Sequence, residues 1–505
     1  MKFFSILQEK LHFFHFQKSF TNCLQTLHTP FTFKLYDKDV LQKDSKSHSN
    51  TYTLPFFQKE PIAALFLCAK HFSMLYCFQK NGIFCEVTPM DIISDAKKII
   101  QTAIQASLPD QAVKKAINGK TFEFKGKVIV IAIGKAAWNM AKAAAENIPH
   151  PIDRGIILTK YGHAQGDLEG FTILEAGHPL PDENTISGTN TILNAVSDLT
   201  EQDTVFFLVS GGGSALFEHP AGNLTLSDML DITDQLLKSG ADIVEMNTVR
   251  KHLSAVKGGR FAALCTPAHV YTIALSDILG DRADSIASGP TCADASTCEE
   301  AKAIAEKYHL RLTEEMQAQL AIETPKATKN VTMEITGSVT ELCADAAKAA
   351  KALGYEPLIL TNMLDCEAKE AGKFLASVAK TIQKDGLPLK PPCAVICGGE
   401  TVVRITGKGK GGRNQELALS AAQSIAGMEN VVVAAAGSDG TDGPTDAAGG
   451  LVTGTTKTEL EVLNISIDQI LADNNSYHAL KAIDSLLMTG PTGTNVNDLY
   501  LLLCK

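Results

Sequence analysis

The residues with chemical potential in this 505-residue chain cluster in glycine-rich turns. Ser210-Gly211-Gly212-Gly213-Ser214 follows TVFFLV, the most apolar run of the first half, and Gly134-Lys135 follows VIVIAI. Glycine lets backbone N–H groups approach an anion where a strand feeds the N-terminus of a helix. Neither turn carries the GxxxxGK[ST] of a Walker A loop or a GxGxxG fingerprint, so each taken alone reads better as a tight structural turn. The stretch KGKGGRNQE (408–416) sets three glycines and three cations ahead of a helix expected to begin near Asn414. Gly411, Gly412 and Asn414 with Arg413 suit a polyphosphate, the competing reading being a flexible basic loop.

Carboxylates come next. GSDGTDGPTDAAGG (437–450) follows VVVAAA and spaces Asp439, Asp442 and Asp446 through a turn too glycine-rich for a helix. Clustered carboxylates at a strand's end suit a divalent cation, and hence a magnesium–nucleotide complex; a solvated Asp/Gly turn is the bland alternative. Arg250 and His252 lie on an expected helix that leads to Lys257, while Asp277 follows the apolar run HVYTIALS. These four are the expected contacts to a small polar substrate. His178 and His252 are candidate acid–base groups, and His252, Asp277 and Asp439 stay open as the general base. No GxSxG elbow and no HExxH motif occurs. Phosphoryl transfer fits this inventory, since it needs positioning and cations more than covalent chemistry.

The elements that position these turns are apolar runs alternating with amphipathic helices from Lys127 onward. Continuous apolar runs joined by helices predict an α/β fold whose parallel sheet is covered on both faces. A polar stretch near Thr324–Asn330 suggests a boundary, giving a larger unit over 90–330 and a smaller α/β unit over 331–505 that opens with VTMEI. The net charge of −10 and the lack of basic blocks argue against nucleic-acid partners. No stretch reaches the roughly 20 apolar residues that span a bilayer. Twelve cysteines without regular spacing suit a reducing cytosol, so a cytoplasmic protein is expected.

Residues 1–89 differ from the rest. They hold 14 of the 22 phenylalanines, one of the 38 glycines and no arginine. Either they form a genuine extension, or the start is placed too early and Met90 is the true one. The second reading is preferred, because the segment has neither a domain's glycine turns nor a disordered tail's low hydrophobicity.

Six segments in order resemble the glycerate 2-kinases whose C-terminal part is called the MOFRL domain. They are VSGGGSAL (209–216), NTVRKHLSAVKGGRFA (247–262), ALSDILGDRADSIASGPT (274–291), GGETVVRITGKGKGGRNQELAL (398–419), AAGSDGTDGPTDAAGG (435–450) and TGPTGTNVNDLYLLL (489–503). The resemblance runs from about Met90 to the end of the chain. It implies a larger Rossmann-like domain, a smaller α/β domain and an active site in the cleft between them. It also implies ATP- and Mg²⁺-dependent phosphorylation of D-glycerate at its 2-hydroxyl, with Lys135 and Arg413 as the catalytic cations. D-glycerate and ATP are then the expected partners, with no nucleic acid or membrane, and a homodimer stays open. A hydroxypyruvate reductase and a non-catalytic sugar-acid or nucleotide-binding protein are the alternatives; a reductase lacks its nicotinamide fingerprint here. A chain beginning at Met90 is expected to fold and retain full activity, which expression of that form and a kinase assay test.

Overall fold

The computed structural model describes residues 91–505 and, before them, four short strands. Those strands form two antiparallel ladders, Thr32–Lys34 with Thr51–Thr53 and Leu75–Phe78 with Phe84–Val87, in a unit that ends at Met90. The question of a start at Met90 lies outside the described residues.

The Asp91–Lys505 unit is built on two six-stranded sheets. The first holds β1 (Val128–Ile133), β2 (Arg154–Lys160), β3 (Phe171–Ala176), β4 (Thr204–Val209), β5 (His269–Ala274) and β6 (Val331–Ile335). All five pairings are parallel, and the spatial order is β3-β2-β1-β4-β5-β6. The order reverses between β1 and β4. In open parallel sheets, ligands bind beyond the carboxyl ends of the strands at that point. Every residue of β1 is fully buried, because helices cover both faces of the sheet. Burial of each such aliphatic side chain contributes about 1.5–3 kcal/mol.

The second sheet holds β7 (Glu356–Leu364), β8 (Cys393–Gly399), β9 (Val431–Gly437), β10 (Gly449–Thr453), β11 (Leu486–Leu487) and β12 (Asp498–Cys504), in the order β7-β8-β12-β9-β10-β11. Only β7 and β8 run parallel; β12 is antiparallel to both neighbours. Helices Ala368–Asp385 and Arg413–Ser424 cover one face, and helices Ile92–Ala106 and Val339–Ala352 the other.

Two placements differ from the sequence expectation. VTMEI, expected to open the second unit, is β6 and completes the first sheet at its edge beside β5. The polar stretch before it is a pinned loop. Thr324 donates from a buried hydroxyl to Asp294 (2.9 Å), and Asn330 donates its amide to Ala262 O and Ala268 O. The helix opened by Asp91 precedes the first sheet in sequence but packs on the second. There Tyr355 donates its hydroxyl to the buried Asp95 (2.8 Å). Among the described residues, no helix is long and apolar enough to cross a membrane.

Candidate active site

The turns after β1 and β4 are locked to each other through backbone. Ser210 Oγ accepts from Ala136 N–H (3.0 Å) and donates to Ile133 O (3.1 Å), while Lys135 N–H donates to Gly211 O (2.9 Å). Gly134 has φ +107°, and a Cβ there would overlap Ser210. The backbone therefore holds the Lys135 turn, and its side chain stays exposed, with no ion pair among the described residues. The N–H groups of Gly211 and Gly212 meet no protein acceptor among the described residues, so this turn keeps open donors.

Three side chains converge on these donors. The ideal Cβ position of Gly212 (φ +84°) lies 2.9 Å from the His178 ring and 3.3 Å from Lys135 Cε; that of Gly211 lies 2.6 Å from Asp277 Oδ2. Burial, aided by the charge of Lys135, pushes the His178 pKa below its ordinary value, so the ring is neutral at neutral pH. Burial pushes the Asp277 carboxyl up; Lys135 opposes that shift and Glu400 adds to it. A Gly212→Ala change would strain a left-handed residue by about 1–2 kcal/mol and crowd both His178 and Lys135. We expect turnover to fall about 100-fold, the scale of a small misplacement of reacting groups, with a loss of only about 1–2 kcal/mol in a denaturant melt.

The second sheet brings its own cluster to the same place. β8 and β12 pair antiparallel with Gly399 opposite Asp498, which puts Glu400 beside Asp498. Arg413, the first residue of its helix, spans both. Its Nε and Nη2 donate to the two oxygens of Asp498 (2.6 and 3.1 Å), and Nη1 donates to Glu400 (2.7 Å). Burial works against the Arg413 charge, yet Asp498 and Glu400 hold its pKa above the ordinary arginine value. Burial raises the Asp498 carboxyl while Arg413 pulls it back down. Asn497 joins the two sheets' turns, its amide donating to Asp277 O and to Glu400 Oε2 (3.1 Å each).

The three aspartates of the Gly-rich turn do not converge. The ideal Cβ position of Gly437 lies 3.3 Å from Asp439 Oδ1 and 3.4 Å from Asp498 Oδ1, so Asp439 belongs with the Arg413 cluster. Asp442 is buried and accepts from the N–H groups of Asn414 (3.2 Å) and Gln415 (2.9 Å); burial pushes its carboxyl up to about 6. Asp446 is exposed and accepts from the Tyr477 hydroxyl (2.7 Å). The shared metal site expected of Asp439, Asp442 and Asp446 is therefore corrected: a metal needs its donors within a few ångströms of one centre.

The phosphate contact expected of the Asn414 N–H is corrected too. The Asp442 carboxylate occupies the donors of Asn414 and Gln415, where an anion would sit. Side chains on Gly411 and Gly412 would overlap Ser476 and Asp442, so these glycines serve close packing.

The expected substrate contacts divide likewise. Asp277 lies in the site. Lys257 is fully buried and pairs with Glu218 (2.7 Å) while donating to Ser214 O (2.9 Å) and Phe217 O (3.0 Å); burial lowers its pKa to about 8. It supports the Ser210–Ser214 turn from beneath, with no route to a substrate. Ser214 faces inward, its hydroxyl 2.8 Å from Ser288 Oγ, and Gly213 donates its N–H to Ser210 O (3.3 Å). Half-buried Arg250 approaches the same turn. His252 is fully buried, with Nδ1 on Thr248 O, and cannot serve as substrate ligand or general base. Sequence reading missed Glu400, Asn497 and Asp498. The signal was present in GGET and NVND, polar residues at the ends of apolar runs, but the antiparallel register that pairs them was not.

Comparison with known proteins agrees with this architecture. The model of the family described as "Domain of unknown function (DUF4147)" matches residues 95–321, and that of the MOFRL family matches 393–498. D-glycerate 2-kinase of Thermotoga maritima is 51% identical over 406 residues, covering 80% of this chain and 97% of the relative. The crystal structure of a glycerate kinase from that organism superposes with a TM-score of 0.80 at 50% identity, covering 83% of this chain and 100% of the other. A protein of Agrobacterium vitis named putative hydroxypyruvate reductase is 40% identical over 432 residues, covering 83% of this chain and 96% of the relative.

Proposed function

The chain belongs to the glycerate 2-kinase family, and from that premise we propose that it transfers the terminal phosphoryl group of ATP to the 2-hydroxyl of D-glycerate, giving 2-phosphoglycerate. One juxtaposition supports this reading. Asn497 ties the turn that carries Asp277 to Glu400, so the exposed Lys135 and the Arg413 cluster face one cleft.

A phosphoryl group in flight spreads charge over its equatorial oxygens, and catalysis is mostly positioning and electrostatics. Lys135 and the open N–H groups of Gly211 and Gly212 supply positive potential to those oxygens. Asp277 lies beside Lys135 with its carboxyl raised toward the working range, and it takes the proton of the substrate hydroxyl. His178, neutral and against the same glycine, lines the pocket without repelling Lys135.

Arg413 has a different part. Its guanidinium is already committed to Asp498 and Glu400, so it holds those carboxylates in place. Asp439, Glu400 and Asp498 together outnumber the one cation among them. The donors are hard carboxylate oxygens, which fit Mg²⁺. Asp439, placed beside Asp498 at Gly437, would hold it, and bound there it would neutralise nucleotide phosphates.

The test mixes the purified protein with D-glycerate, ATP and Mg²⁺ and couples it separately to enolase and to phosphoglycerate mutase plus enolase. Signal with enolase alone is the expected result. Signal only with the mutase present means the 3-phosphate. NADH oxidation on hydroxypyruvate without ATP consumption would replace the kinase reading with a reductase.

A further inference from the structure

A second cluster lies outside the Lys135–Asp277 and Arg413 groups. His252 is the penultimate residue of the Ile243–Leu253 helix, Cys298 opens the Cys298–Lys307 helix, and Glu323 lies in the loop after the Glu314–Gln319 helix. One ligand atom from each comes within 4.8 Å of the others. We propose that His252, Cys298 and Glu323 form a binding site for a thiophilic divalent cation of the Zn²⁺ class, separate from the catalytic centre.

The histidine carries the argument furthest. Its Nδ1 is 2.9 Å from Thr248 O. A carbonyl can only accept, so Nδ1 bears the proton and Nε2 presents a bare lone pair. That Nε2 is fully buried and has no hydrogen-bond partner among the described residues. An orphaned buried acceptor is costly, and a cation relieves it.

The other donors are arranged around it. Glu323 Oε1 accepts from Cys298 N–H (2.8 Å), which sets the carboxylate beside the thiol, and Oε2 pairs with Lys326 (2.6 Å) at the surface. Cys298 is 4% exposed while Glu323 is exposed, so one side of the cluster opens to solvent for entry. Tetrahedral Zn²⁺ with bonds of about 2.0–2.3 Å needs donor separations of about 3.3–3.8 Å, a contraction of about 1 Å from the observed spread. Binding forms the metal–sulfur bond, breaks the S–H bond and releases that proton to solvent. Thiolate and carboxylate then balance the divalent charge, and water completes the tetrahedron.

The site has a structural consequence. The helix that carries His252 also carries Asn247, which accepts from Ser288 Oγ (3.1 Å), and Ser288 in turn meets Ser214 of the glycine turn. A cation there staples the support of that turn.

The experiment uses the full chain, stripped with a chelator and titrated with Co²⁺ as a spectroscopic probe and with Zn²⁺ for thermal stability. One equivalent of Co²⁺ is expected to give thiolate-to-metal charge-transfer absorption that Zn²⁺ abolishes, and Zn²⁺ is expected to raise Tm. Cys298→Ser should remove the band, while Cys292→Ser, at a cysteine outside the cluster, should keep it. Glu323→Gln, an exposed change that spares the core, should weaken Co²⁺ binding at least about tenfold. No band in the parent protein, a band that persists in Cys298→Ser, or unchanged affinity in Glu323→Gln would each overturn the proposal.

Discussion

Lys135→Ala is expected to lower kcat by about 10²–10⁴-fold, about 3–5 kcal/mol of transition-state stabilisation, while leaving Tm within a few degrees of the parent. The asymmetry follows from how the turn is built. Its shape is held by Ser210 Oγ and by the Lys135 N–H to Gly211 O bond, neither of which involves the lysine side chain. The ammonium group is exposed, and surface changes away from buried features usually fall within about 0.5 kcal/mol. The coupled kinase assay and a thermal melt on the same preparation measure both quantities. Turnover near that of the parent would remove Lys135 from the mechanism.

Arg413→Ala should behave in the opposite way. It is expected to abolish detectable turnover and also to cost about 3–5 kcal/mol of stability, because it strands a buried carboxylate without its partner. Asp498 is 1% exposed, and its side chain has Arg413 as its cationic partner. The ion pair with Asp498 sets Arg413 apart from Lys135, whose side chain is exposed. Arg413→Lys retains the charge but cannot make the two-oxygen contact and reach Glu400 together, so an intermediate stability is expected. Adding Asp498→Asn to Arg413→Ala should recover part of the stability, since the stranded charge is gone, and none of the turnover. Chemical denaturation and the kinase assay separate the two effects. An Arg413→Ala protein of parental stability would show that Asp498 is satisfied by other means.

Much of the first half was legible. Each apolar run from VIVIAI to HVYTIA became a strand of one parallel sheet, since runs apolar on both faces fit only a sheet covered on both sides. The glycine turns after β1 and β4 could be found because strand ends and glycines are local signals. The edge strand VTMEI could not be assigned to its sheet, because sheet membership is a long-range pairing. The same limit misled the reading of the aspartates. Asp439, Asp442 and Asp446 are near neighbours in sequence, yet the turn points them to the Arg413–Asp498 cluster, to a helix cap and to the surface in succession.

By itself, the sequence determined the strand–helix alternation, the glycine turn Ser210–Ser214 at a strand's end, the placing of Lys135 at another and the family resemblance. These depend on residue types at short spacing. Only the tertiary structure decided which charges are free and which are already spent. Lys257, His252 and Asp442 read as ligands in sequence, and burial turned them into an ion pair, an inward-facing imidazole and a helix cap. Glu400, Asn497 and Asp498 gained their roles because β8 and β12 pair antiparallel, bringing together residues about a hundred positions apart. A charge acts on its neighbours in space, at a strength that burial sets, and neither quantity is written in local sequence.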